Sequence, residues 1–143
     1  MDAIQISRTG LDVEWQRLQV IAQNFANMNT TRTTSGAPYR AMRLVSGPQN
    51  AFTSYVERGS AVARAEGVRV LGIEPAKGGG VRRVHEPGHP DADAQGLVSY
   101  PDIDQAAEMT LLIRTSRVYE ANLTALSIAQ QMYARAAQLG RQS

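Results

Sequence analysis

The stretch Asp102–Leu139, DIDQAAEMTLLIRTSRVYEANLTALSIAQQMYARAAQL, runs 38 residues without a glycine or proline. Its spacing predicts one continuous helix, about 55 Å long at about 1.5 Å per residue. That is longer than a small domain can wrap, so this arm is expected to find its partner in other copies or other chains. Asp102 or Asp104 can cap its start after Pro101 and place negative charge where the helix dipole favours it. Two apolar rows run side by side along it. One holds Leu112, Tyr119, Leu126 and Tyr133, with Met109 and Leu123; the other holds Leu111, Val118, Ala125, Met132 and Leu139, with Ala121 and Ile128. Together they are wider than a two-stranded seam requires, and the many alanines allow close approach of several helices.

Working outward, all six prolines and ten of the twelve glycines lie between Gly36 and Pro101. The N-terminal end is therefore a second breaker-poor arm. Ile4, Leu11, Leu18 and Phe25 recur every seven residues, with Trp15, Ile21, Ala22 and Met28 on intermediate turns. This is coiled-coil spacing, and an ordinary amphipathic core helix fits it equally well. Gly10 predicts fraying or a bend in the first turns. Asn24, Asn27 and Asn29, followed by Thr30 and Thr31, predict the helix ending, because Asn tolerates the left-handed conformation and its amide competes for backbone partners. The fold class is α+β: long N- and C-terminal helices pairing as an antiparallel coiled-coil-like arm pair, with a small β-rich insert between them. The expected divisions are 1–33, 34–101 and 102–143.

Within the insert, Tyr39–Val45, Val68–Ile73, Val81–His85 and Leu97–Tyr100 are short apolar or β-branched runs separated by Gly and Pro, which predicts hairpins. Pro48–Arg58 takes no assignment. Lys77-Gly78-Gly79-Gly80 is a loop tip without the strand-to-helix setting or Lys-Ser/Thr ending of a phosphate-binding loop. Arg32–Arg83 carries nine basic residues against three acidic ones, whereas Val84–Ile113 carries six acidic residues and no Lys or Arg. Such an arrangement permits head-to-tail contact between copies. Nucleic-acid binding is its rival, but the arginines are scattered among acids and no basic-aromatic motif accompanies them.

Cysteine is absent, which excludes disulfides, thiolate metal sites and cysteine nucleophiles. Neither a secretory leader nor a membrane span is expected from the apolar runs. The densest chemistry is His85-Glu86-Pro87-Gly88-His89-Pro90-Asp91-Ala92-Asp93. His85, His89, Asp91 and Asp93 could centre a metal-dependent hydrolase. Pro87, Gly88 and Pro90 instead favour tight turns in which Asp and His bond the local backbone, and the chain has no third histidine. A small helical adaptor for one soluble partner is a further alternative.

Three pieces taken in order carry a family resemblance. Gly10-Leu11 and then Asn24-Phe25-Ala26-Asn27-Met28-Asn29-Thr30-Thr31-Arg32-Thr33 resemble the signature of the bacterial flagellar axial rod and hook proteins. Pro87-Gly88-His89-Pro90-Asp91-Ala92-Asp93-Ala94-Gln95-Gly96, followed by Val98, Tyr100, Pro101 and Asp102, resembles the loop that marks the basal-body rod family FlgC among them. Ser116-Arg117-Val118-Tyr119-Glu120-Ala121-Asn122 is similar to the family's C-terminal helix. The sequence departs at Phe25 and Met28, where the family usually has smaller residues, and at Thr34, where proline is common. The resemblance implies a non-catalytic subunit of the proximal rod, which transmits motor torque and encloses the export channel. It implies no cofactor or metal, no nucleic acid and no direct membrane insertion. It also implies passage through the flagellar type III export apparatus without a cleaved signal peptide, and a place in the periplasm beside FlgB, FlgF, FliE and possibly FlgG. On this reading the assembly residues are Leu11, Trp15, Leu18, Ile21, Phe25, Leu112, Tyr119, Leu123, Leu126 and Tyr133.

Overall fold

The structure, a computed structural model, describes residues 3–49 and 66–140. The chain is α+β, with two long helices and two small two-stranded antiparallel sheets. Helix α1 spans Ala3–Ala26, strands β1 and β2 span Met42–Pro48 and Val68–Pro75, β3 and β4 span Val81–His85 and Leu97–Pro101, and helix α2 spans Gln105–Leu139. β1 pairs with β2 and β3 with β4. Of the segment Pro48–Arg58, positions from 50 on lie outside the described residues, as do 1–2 and 141–143 at the ends of the two expected arms.

The described residues fall into two compact units, and each long helix contributes to both. The first unit holds 3–16, 45–49, 66–72 and 114–140; the second holds 17–44 and 73–113.

In the first unit, Leu11 and Val13 of α1 and Thr115 of α2 are buried. The Trp15 ring lies 6.4 Å from that of Tyr119. Gly10, the expected site of fraying or a bend, does not interrupt the helix. A side chain there would come within 3.1 Å of the Asn122 amide, so the missing Cβ makes room for α2. β2 begins at a similar close approach. Gly67 has φ +85°, and a Cβ would sit 2.3 Å from Thr9 Oγ1, which accepts the Val68 N–H at 3.1 Å. Gly67→Ala is therefore expected to destabilise the fold by about 1–3 kcal/mol, the usual cost of a left-handed non-glycine residue, with the clash in addition. Thermal unfolding should show the loss, and Thr9→Ala in the same chain should recover only the part due to the clash.

In the second unit, β3 and β4 pair antiparallel from Val81↔Pro101 to His85↔Leu97. Val98, which is fully buried, and Pro101 are the buried residues of β4. β1 starts three residues later than its sequence predicts. Thr30–Tyr39 is used instead to turn the chain back, with the Tyr39 N–H donating to Thr30 O and the Gly36 N–H to Thr33 O. Of the two possible caps for α2, Asp104 serves: its Oδ1 accepts the N–H groups of Ala106 at 2.9 Å and Ala107 at 3.2 Å. Asp102 instead donates its backbone N–H to Gly80 O.

Candidate assembly surface and the polar clusters behind it

Asn24 is the residue whose placement differs most from its sequence reading. It does not end α1. It lies inside the helix, fully buried, and its side chain makes four hydrogen bonds. Nδ2 donates to Met42 O at 3.0 Å and to Glu108 Oε2 at 3.2 Å. Oδ1 accepts the Met42 N–H at 2.9 Å and the Tyr39 hydroxyl at 3.0 Å. Two donors and two lone pairs are the whole capacity of a carboxamide. Glu108, 2% exposed, accepts from Asn24 on one oxygen and pairs through the other with Arg43, whose guanidinium also donates to Met42 O. Burial, reinforced by the Glu108 carboxylate and opposed by Arg43, holds the Tyr39 phenol above its ordinary pKa, so the hydroxyl keeps the proton it donates.

Two residues further along β1, Leu44 O accepts from Arg17 Nη1 at 2.9 Å. Side chains of α1 thus bond backbone groups of β1 at Met42 and Leu44. Thr9, Val13, Arg17, Val20 and Asn24 lie on one line of α1 at steps of three and four. Polar residues that bind strand backbone alternate there with buried valines.

The rest of the Asn-Thr segment does form the helix ending. Asn27 Nδ2 donates to Gln23 O, the Thr30 hydroxyl donates to Asn27 Oδ1, and Asn29 is exposed. Thr31 then reaches the Asp-rich loop: its hydroxyl donates to Asp91 Oδ2 at 2.7 Å, and Arg32 lies 3.6 Å from Asp91 Oδ1. The structure thereby brings together two of the three segments that carry the sequence resemblance.

Inside that loop each side chain serves the turns. The Asp91 N–H donates to His89 Nδ1, and the His89 N–H bonds Glu86 O. Asp93 Oδ1 accepts the N–H groups of Gln95 and Leu97, while Arg83 stands 4.0 Å from its other oxygen. Gly96 closes the hairpin, its carbonyl accepting the Glu86 N–H, and a Cβ there would meet the Pro87 ring at 3.1 Å. Gly88 and Pro90 are both exposed, within the turns. Tyr100 donates to Glu86 Oε2, a bond that raises the phenol's pKa, and His89 meets its ring edge-on at 6.2 Å. Among the described residues no group of three His, Asp or Glu is set to hold a metal ion. Several of the basic and acidic residues proposed to meet between copies are paired here within one unit: Arg43 with Glu108, Arg32 with Asp91 and Arg83 with Asp93. Asp91→Ala removes the Thr31 bond and should lower stability by about 1 kcal/mol, the net worth of one partly buried hydrogen bond. Urea unfolding of the purified chain measures it.

The two apolar rows of α2 are unevenly covered. Leu112, Tyr119 and Leu126 of the first row are half-buried. In the second row Val118, Ala125, Ile128, Met132 and Leu139 are exposed, while Leu111 is half-buried. Leu123 and Tyr133, which belong to the first row by spacing, are exposed as well, and every residue from 131 to 140 is exposed. On α1, Leu11 and Ile21 are buried, Leu18 and Phe25 half-buried, and Trp15 is 55% exposed. The most exposed of the large apolar side chains of the first unit lie on the last turns of α2, with Met132 66%, Tyr133 68% and Leu139 70% exposed. An exposed apolar face of this kind marks an interaction surface.

Residues 94–139 match the family described as flagellar basal body rod FlgEFG protein C-terminal, which covers the last residues of the loop, β4 and α2. The chain is 34% identical over 143 aligned residues to the flagellar basal-body rod protein FlgC of Borreliella burgdorferi, covering 92% of this chain and 91% of that protein. It is 32% identical to the FlgC proteins of Escherichia coli O157:H7, over 99% of this chain and 98% of that one, and of Bacillus subtilis, over 97% of each. The chain is a flagellar axial protein by class. It belongs to the FlgC family of flagellar basal-body rod proteins, structural components of the bacterial flagellum that serve motility.

Proposed function

We propose that this chain is a non-catalytic subunit of the proximal rod, and that it assembles through the exposed face of α2. The single observation that carries this reading is the row Val118, Ile128, Met132 and Leu139, joined by Tyr133, left uncovered on a helix where Leu112, Tyr119 and Leu126 are half-buried. The arms are read as an antiparallel coiled-coil-like pair. In the first unit Gly10 faces Asn122 and Trp15 meets Tyr119, so the numbering falls along α2 as it rises along α1. Extended at that pace, Ala3 lies opposite about residue 129, at 1.5 Å per residue on both helices. The turns of α2 beyond it have no described residue of α1 to cover them. Neighbouring subunits supply that cover, and the wall they form encloses the export channel.

Interlocked side chains at interior density resist relative sliding, which is what transmission of motor torque requires. The segment 34–101 is the insert carried by the arms and sets contacts between neighbours. FlgB, FlgF and possibly FlgG are the expected rod neighbours, with FliE at the base. Passage through the type III apparatus without a cleaved signal peptide and assembly in the periplasm follow from the same family reading. The test is complementation of a flagellated host that lacks its own FlgC-family protein. Restored swimming, with the chain present in purified basal bodies, is the expected result, and its absence from basal bodies despite normal expression would overturn the reading.

A further inference from the structure

Glu108 is almost fully buried on α2, where the apolar rows would lead one to expect a hydrophobic side chain. Its two oxygens are taken by two different elements of the same unit, Asn24 of α1 and Arg43 of β1. Among the described residues no buried side-chain polar atom lacks a partner, so the cluster is fully satisfied in this arrangement. The apolar pattern around it is far less selective. A slip of seven residues brings three of the four members of the series Ile4, Leu11, Leu18 and Phe25 onto the place of another. A slip of α2 by one turn toward its N-terminus would put Leu111 or Leu112 where Glu108 stands, side chains that accept no hydrogen bond. A slip of seven would put Thr115 or Pro101 there, and neither carries the charge that pairs with Arg43.

We propose that Glu108 is a positioning residue that fixes the alignment of α2 on α1 and β1. Apolar burial then supplies attraction without selecting the register. A single polar residue in an apolar seam is the best-attested device of this kind, and replacing a buried ion pair by apolar residues of similar volume often leaves stability unchanged or improved. The inference concerns one chain and holds whether or not the chain builds a rod.

The absence of cysteine makes the test direct. Gln19→Cys and Ala106→Cys place spin labels at exposed positions of α1 and α2 within the second unit. Pulsed electron resonance on dilute protein should give one narrow distance. In the Arg43→Met/Glu108→Leu background, with Asn24 still bonded to Met42 and Tyr39, the protein should stay folded with an undiminished unfolding midpoint. Its distance distribution should gain a second peak, displaced by up to about 5 Å, one helical turn. Glu108→Gln, which keeps an acceptor for Asn24, should restore the single peak. A single native distance in the apolar background would overturn the proposal. So would failure of that variant to fold, since the cluster would then be a source of stability instead of register.

Discussion

Asn24→Ala should cost the fold about 3–5 kcal/mol, the range for breaking a buried, charge-linked polar cluster by removing one partner. The size follows from what remains behind. The Met42 N–H and carbonyl, the Tyr39 hydroxyl and one oxygen of Glu108 all lose a bond in a place where Asn24 itself is inaccessible to solvent. Against a total stability of about 5–15 kcal/mol, that is enough to leave a substantial fraction of molecules unfolded at physiological temperature. Urea titration of the purified chain is the measurement, with the midpoint falling and the slope unchanged. Asn24→Asp sharpens it. The substitution preserves volume but removes both donors and sets a second carboxylate against Glu108, so it should be as damaging as alanine. A loss below about 1 kcal/mol in either variant, the net worth of a single hydrogen bond, would show that water enters and replaces the amide.

The opposite pattern is expected at the far end of α2. Ile128→Gln, Met132→Gln, Tyr133→Gln and Leu139→Gln in one chain touch only exposed side chains, so the unfolding midpoint of the dilute protein should stay within about 0.5 kcal/mol. Assembly should fail. Burial of four large apolar side chains is worth about 6 kcal/mol at the low end, close to a factor of 10⁴ in association. Co-sedimentation with rod proteins and swimming in a complemented host are the readouts. Normal motility from the quadruple variant would remove this face from the assembly account.

Much of the architecture was legible because it rests on chain-local signals. The breaker-free run from Asp102 corresponds to α2, and the β-branched runs at Val81–His85 and Leu97–Tyr100 pair as β3 and β4. Asn27 and Thr30 end α1 through contacts only three or four residues long, which a sequence window contains. Asn24 bonds a strand 18 positions away and a helix 84 positions away, and nothing in its immediate neighbours distinguishes it from the surface asparagine Asn29. Arg17 hid the inner line of α1 for a similar reason. A charged residue between Val13 and Val20 reads as a solvated face, although its guanidinium is used on Leu44 O. On α2 both apolar rows were visible in the spacing. Which one faces inward depends on α1, so composition could not rank them.

The uncovered end of α2 also bears on how fast order can propagate. Residues 131–139 continue a helix whose earlier turns are held by packing around Thr115, Tyr119 and Leu126. Nucleation, which limits an isolated peptide of this length with a factor of about 10⁻³, has therefore already been met upstream. Ala134, Ala136 and Ala137, with Gln131 and Gln138, are strong helix formers, so each further residue adds at near-neutral free energy. Whenever the tail melts it can re-form by elongation alone, on the order of nanoseconds per residue. On that timescale an arriving neighbour meets a tail already sampling the helix, and docking need not wait for a fold to begin.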